Sequence, residues 1–341
     1  MSALPTAPGG ITAAWLDSVL KEHDVAAVQL EQVIPGSTTK VFLRAELGDG
    51  STLLLFAKGV FDEPRLPVRV LAARQEALFF RHLAPTLEVP LFHAWFADAD
   101  DEQGIVVFDD LSEAGTTFTE VGAAWSYDLV AAALEVQAAW HAATWGFPTD
   151  RYAWLAAGNP VAAAAADVLF SQAHWSAHTS DPTTVEVPEA LADRARMQAA
   201  MGKLFALQAA STHALSHGDA HIGNTYLDAA GRPGFYDWQT FCLAPPLDDA
   251  SYFIAGALAT EDRQQHEQDL LRHYLSALAA HGAPAPSWND AWLTYRTYQI
   301  HGFFWAVLPT AWQPVECSVP MAERYIAAIV DHDSLKLLEQ A

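Results

Sequence analysis

HGDAHIGNTYLD (217–228) sets His, Asp, His and Asn within eight residues of a chain otherwise rich in alanine, and GFYDWQ (234–239) adds a further Asp shortly afterwards. Gly218 and Gly223 disfavour a helix and suit a loop. NTYLD (224–228) leads into a short strand, AAGR (229–232) turns, and PGFYDWQ (233–239) returns as a second strand. A hairpin of that length brings residues near 224 close to those near 237, so Asp219, Asn224 and Asp237 are expected to point into one small volume. Three oxygen-bearing side chains are hard ligands suited to Mg2+, an ion that keeps waters and shares its shell with phosphates. The plain alternative for Asp219 and Asn224 is a loop held by Asx hydrogen bonds. His213, His217 and His221, spaced by four, would align as zinc ligands on a helix. Gly218 and the expected loop argue against that helix, which leaves His217 as a buried brace. His221 either orients Asp219, approaches phosphate or simply packs.

Working outward, TTKVFLRAEL (38–47) alternates, with Val41, Leu43, Ala45 and Leu47 on one face and Phe42, Arg44 and Glu46 on the other, the period of a strand. GDG (48–50) turns and STLLLFAKGV (51–60) follows as its hairpin partner. Pro64 and Pro67 break the chain before a helix over 68–84, and GIVVFDDL (104–111) reads as another strand. A short helix is expected over 11–22. Beyond Gly115 the texture becomes helical: 125–145, Ala-rich helices over 160–212, and segments near 261–281, 288–308 and 319–339.

The 341 residues suit two lobes of unequal size. A net charge of −23 with no basic stripe makes nucleic acid an unsuitable partner. That charge serves solubility, or a groove that attracts a cationic substrate. No apolar run reaches the ~20 residues of a membrane span, and the N-terminus lacks the basic-then-apolar pattern of a secretion signal. Two cysteines build no disulfide framework, which points to a reducing cytoplasm.

The five-residue interval from Asp219 to Asn224 equals that of the kinase catalytic loop, H-R-D-x-x-x-x-N, with Gly218 in place of Arg. Asp237 falls where that template has its metal-binding Asp, although DWQ replaces DFG. LSHGDAHIGNTYLD, GFYDWQ and PPLDDASYF together resemble the aminoglycoside phosphotransferase and choline kinase-like family of small-molecule kinases. The resemblance is strongest over 215–254 and extends over about 30–145. It implies an α+β, bilobal, protein-kinase-like fold: a small strand-rich N-lobe with one main helix (1–108), a hinge (109–115), and a larger, mostly helical C-lobe (116–341).

The resemblance also implies partners in the first third. Lys58, at the end of the apolar strand, would hold phosphates and pair with Glu76 in the helix, with Glu63 as a second candidate; the alternative is an exposed lysine and a solvated glutamate. VIPGSTTK (33–40) is the candidate phosphate-covering loop, with Gly36 as its only glycine and Ser37 and Thr38 as hydroxyl donors, or else an ordinary turn. Asp109, Asp110 and Leu111 would present hinge peptides to adenine. Asp249, more than Asp248, fits the family's brace of the catalytic loop; a plain N-cap is the alternative.

The reaction implied is transfer of the γ-phosphate of ATP, with Mg2+ on Asn224 and Asp237, to a small-molecule hydroxyl that Asp219 deprotonates. The acceptor is an aminoglycoside-, choline- or other alcohol-type molecule, and Trp305, Trp312 and His301 line its pocket or belong to the core. Only eleven residues separate Asp237 from Asp249, too few for the activation segment of a protein kinase. A non-catalytic nucleotide-binding protein and a metal-dependent hydrolase are the competing classes.

Overall fold

Val41, Leu43, Ala45 and Leu47 face one core, where they meet Leu55, Ala57, Ile105 and Val107 from neighbouring strands and Trp15 and Leu16 from helix α1 (Ala13–Val19). The computed structural model describes residues 3–62, 64–112, 114–148, 150–155, 157–211 and 213–341. They form two compact units, Met1–Thr116 with Tyr236–Thr240, and Thr117–Phe235 with Phe241–Ala341.

The first unit is built on a five-stranded antiparallel sheet of β1 (Val25–Ile34), β2 (Thr39–Leu47), β3 (Thr52–Gly59), β4 (Ala94–Ala99) and β5 (Gly104–Asp109), in the order β1-β2-β3-β5-β4. The β2–β3 turn is tight because Gly50 takes φ 86°, a conformation glycine adopts without strain. Helix α2 (Pro67–His82) starts at a proline, carries Arg81 and His82 in its last turn, and packs on β4 and β5. The sheet face opposite the core carries two cross-strand rows. In one, Phe42, Phe56 and Phe108 are in register and stack at 5.6 and 5.0 Å between ring centroids; in the other, Lys40, Lys58 and Val106 align.

β1 and β4 carry no sequence signal strong enough to predict them. β1 is an edge strand, mostly exposed, and its register slips at Val25/Ala27 and Leu30/Gln32, which breaks a period of two. β4, the other edge, slips between Ala94 and Phe96.

The second unit is mostly helical: α3 (Tyr127–Ala143), α4 (Pro160–Leu169), α5 (Gln172–Thr179), α6 (Arg194–Ala210), α7 (Pro246–Ala257), α8 (Thr260–Ala280), α9 (Trp288–Tyr298), α10 (Val315–Asp331) and α11 (Ser334–Gln340). Short strands β6 (Thr117–Phe118), β8 (Thr225–Leu227) and β9 (Pro233–Phe235) form one sheet, and β7 (Ala214–Ser216) pairs with β10 (Cys242–Ala244). Every residue of α7 is buried, so this helix forms the core of the unit. The helix expected over 288–308 stops at Tyr298 and continues as 3-10 turns through Val307. Here Gly302 lies against Tyr325 of α10 so closely that a Cβ would clash with the ring. The segment expected over 319–339 is two helices, broken where Asp333 takes φ 52°. No helix of the described residues is long and apolar enough to cross a membrane. The architecture is mixed α+β, as the sequence predicts.

Candidate functional site

In the first unit, strand β3 carries Lys58 and helix α2 carries Glu76. Lys58 Nζ lies 2.8 Å from Glu76 Oε2 and 2.6 Å from Asp237 Oδ1. The lysine and glutamate are both buried. Removing a lone ammonium from water is costly, and burial pulls Lys58 down, but Asp237 and Glu76 outweigh it and hold its pKa above the ordinary value. Burial pushes Glu76 up, against the pull of Lys58. Asp237 itself takes φ 67°, a left-handed conformation rare outside glycine. Such backbone costs about 1–3 kcal/mol and tends to mark sites where geometry serves function. The turn is secured on its far side: Trp238 N–H donates to Glu76 Oε1 at 3.1 Å, and its indole stacks on Phe79 at 4.4 Å. A bulky aromatic thus follows the Asp and docks on α2.

The loop before β2 is tied to the protein. The Arg69 guanidinium donates to the carbonyls of Gly36 and Ser37 at 3.1 and 3.0 Å, and the Ser37 and Thr38 hydroxyls meet Gln239 at 3.2 and 3.4 Å. At the end of β5, the Asp109 N–H donates to the His93 carbonyl at 3.4 Å and the Asp110 N–H to the Leu54 carbonyl at 2.9 Å. The Leu111 carbonyl accepts from Ala114 N–H, and of the three peptides at Asp109, Asp110 and Leu111 it is the Leu111 N–H that has no hydrogen-bond acceptor among the described residues. The Asp109 carboxylate accepts from the Trp95 indole at 2.6 Å and lies 3.0 Å from His93 Nδ1. Glu63 lies outside the described residues.

The second unit holds the other quoted residues. After β7 the chain bends through Gly218, whose φ of 76° excludes the arginine of the kinase template without strain. Two consecutive peptides here are caught by one carboxylate: His217 N–H donates to Asp249 Oδ2 at 2.6 Å and Gly218 N–H to Oδ1 at 3.0 Å. His141 Nε2 lies 3.2 Å from Asp249, and the Nδ1 of the same ring lies 2.8 Å from the Tyr274 hydroxyl. Burial pushes Asp249 up, but its hydrogen bond with His141 and the neighbouring histidines overcome this and hold it below its ordinary 3.8. A carboxyl depressed in the fold stabilises fully above its ordinary value, and that stability is lost as the pH falls through the folded value. Urea denaturation of the wild type should therefore lose stability below about pH 4, whereas Asp249→Asn, destabilised by about 1–3 kcal/mol at neutral pH, should lose less on acidification. Parallel pH dependence in the two proteins would contradict this. Asp248 is engaged elsewhere, 3.2 Å from His301 Nδ1.

Asp219 is supported from three sides while its side chain stays 32% exposed. Tyr252 donates its hydroxyl to Oδ1 at 3.1 Å. That direction is enforced, because the Trp305 indole N–H donates to the same hydroxyl at 2.6 Å and can only donate. Burial, then Tyr325 and Asp219, push the Tyr252 phenol well above its usual range, so it keeps its proton. His301 and Tyr325 sandwich the Tyr252 ring at 4.6 and 4.8 Å. His221 Nδ1 accepts from Gly223 N–H at 3.0 Å, which places the proton of the neutral ring on Nε2, 3.6 Å from Asp219 Oδ2. Asn224 Nδ2 donates to the Asp219 carbonyl at 2.9 Å and approaches Oδ2 at 3.4 Å, leaving its amide oxygen as the atom able to ligate a metal. Trp305 and His301 thus lie in the buried support of Asp219, whereas Trp312 is exposed.

Each unit therefore gathers its own cluster: Lys58, Glu76 and Asp237 in one, Asp219, Asn224, His221 and Asp249 in the other. The sequence reasoning overlooked Tyr252, although it stands inside PPLDDASYF, three residues beyond Asp249 on the buried helix α7. Lys40 and Gln239 also went unassigned, although they end the quoted stretches VIPGSTTK and GFYDWQ, and Arg69 stands in no motif.

A family model described as the ecdysteroid kinase-like family matches residues 73–283, a stretch containing Glu76, Asp219, Asn224, Asp237 and Asp249. The chain belongs to this ecdysteroid kinase-like family. Lys58 and the first three strands precede the matched stretch. Comparison with curated proteins returns no match. Among solved structures, the amicoumacin kinase hAmiN, in complex with AMP-PNP, Ca2+ and Ami, is similar with a TM-score of 0.51 and 13% identity over 92% of this chain and 93% of that one. A microcompartment-associated aminopropanol kinase gives 0.50 and 10% identity over 95% and 99%. Choline kinase LicA from Streptococcus pneumoniae gives 0.49 and 13% over 93% and 98%. At their identities the first two show likeness of fold alone, and that fold is the protein-kinase-like one that the sequence predicts.

Proposed function

We propose that this member of the ecdysteroid kinase-like family is a phosphotransferase that moves the γ-phosphate of ATP to a hydroxyl of a small molecule. The observation that carries the reading is Lys58, a buried lysine held between Glu76 and the strained Asp237. Phosphoryl transfer asks the protein mainly for positioning and charge neutralisation, and a lysine oriented by two carboxylates meets that need. Beside it, the half-buried Phe42 and Phe56 offer a stacking surface for a base, and the Leu111 N–H is open to meet the base edge.

The donor set fits Mg2+. A carboxylate at Asp237 and an amide oxygen at Asn224 are hard oxygen donors of the kind taken by an ion that uses one or two protein ligands and completes its shell with phosphates and water. We assign the Asp237 carboxylate and the Asn224 amide oxygen as its ligands; when bound, Mg2+ neutralises charge on the β- and γ-phosphates. The Asp219 carboxylate accepts the acceptor's hydroxyl proton as that oxygen bonds to the γ-phosphorus, and the bond from phosphorus to the bridging oxygen breaks, releasing ADP. Tyr252 and His221 orient the carboxylate, and Asp249 fixes the loop that carries it.

The acceptor classes we propose are aminoglycoside-, choline- and other alcohol-type molecules, met in the cytoplasm. ADP release measured across a panel of such alcohols should show acceptor-dependent turnover in the wild type. ADP formed at one rate whatever the acceptor would point instead to hydrolysis.

A further inference from the structure

Lys40 stands on β2 directly opposite Lys58 on β3. Residues opposed on paired strands project to the same face with Cβ atoms about 5 Å apart, so two ammonium groups share one small region. Lys58 has Glu76 and Asp237 as counter-ions. The Lys40 ammonium, among the described residues, has neither a hydrogen bond nor an ion pair; its Nζ lies 5.8 Å from the centroid of the Tyr236 ring. Burial pulls its ammonium below the ordinary value, with Asp237 opposing and Lys58 adding to the fall. A partly buried cation beside another cation is costly unless an anion joins them.

The neighbouring loop sharpens the point. A glycine-rich cover meets phosphates with backbone N–H groups. Here the loop has one glycine, its carbonyls at Gly36 and Ser37 are tied to Arg69, and its hydroxyls at Ser37 and Thr38 meet Gln239. Two residues along the strands, Phe42 and Phe56 stack in the adjacent row, so a base lying there would carry its phosphates toward the lysines.

We propose that Lys40 is a second phosphate-binding lysine, forming with Lys58 a two-cation clamp for the phosphate chain of a nucleoside di- or triphosphate and standing in for a glycine-rich cover. The inference rests on the nucleotide reading above. Titration calorimetry of the full chain in magnesium buffer, with ATP, ADP and adenosine as ligands, tests it. Charge-assisted contacts of this kind correspond to about tenfold or more in affinity. Lys40→Met should therefore weaken ATP and ADP by about tenfold or more and leave adenosine within about twofold, and Lys40→Gln serves where the Met variant does not fold. Equal ATP and ADP affinities in wild type and variant would overturn the clamp while the nucleotide reading stands. Equal weakening of adenosine would overturn a phosphate role. A wild type that binds none of the three ligands would overturn both.

Discussion

Asp219→Ala should lower turnover by a factor of ~10² or more, as loss of a positioned base does, and leave the fold and nucleotide affinity close to those of the wild type. The structure gives the reason for both halves. Asp219 is partly exposed, and the support around it survives its removal: Asn224 keeps its bond to the backbone carbonyl at 219, Tyr252 stays between His301 and Tyr325, and Asp249 still holds the peptides of His217 and Gly218. The measurement is the steady-state rate of ADP release with an active acceptor, with the affinity for Mg-ATP determined alongside. Full turnover in the variant would remove Asp219 from its assigned role. Loss of nucleotide affinity together with turnover would make it a structural residue.

Lys58→Met should have the largest effect on stability. The substitution leaves Glu76 buried beside Asp237 with no cation between them. Breaking a buried pair from one side typically costs about 3–5 kcal/mol, so urea unfolding should show a loss of that order, together with loss of phosphoryl transfer. The effect carries a pH signature. Burial already pushes Glu76 above its ordinary 4.5 against the pull of Lys58, and without the lysine it rises further. A carboxyl raised in the fold contributes stability that is complete below 4.5 and is lost as the pH rises through the folded value. The deficit of Lys58→Met should thus be larger at about pH 8 than at about pH 5. A loss under about 1 kcal/mol, the scale of an exposed pair, would contradict the buried arrangement.

The legible parts of this protein were those with strong local patterns. Alternation in β2, the GDG turn and the glycine-free run of α2 announced three elements, because each buries one continuous face. Edge strands β1 and β4 announced nothing, since their irregular registers and exposed residues erase the period. The helix over 288–308 was misjudged in type beyond Tyr298, where contact with Tyr325 outweighs local propensity. At the site, the residues of HGDAHIGNTYLD and GFYDWQ were conspicuous because polar groups cluster there in sequence. Tyr252 and Lys40 were not, because what singles them out is a neighbour distant in the chain: Trp305 and Asp219 for one, Lys58 for the other. The departure from arginine at Gly218 reads in the sequence as a defect of the motif, and in the structure as the positive φ that lets Asp249 take both peptides.

The central claim is that Lys58, Glu76 and Asp237 belong to a metal-nucleotide site. Thermal unfolding with ATP, in magnesium and in EDTA, tests it most directly. With Mg-ATP at about one hundred times its dissociation constant the fold should gain ~2.7 kcal/mol, and most of that gain should vanish in EDTA and in Asp237→Asn. An unfolding midpoint unmoved by saturating Mg-ATP, or moved equally with and without the metal, would contradict the account.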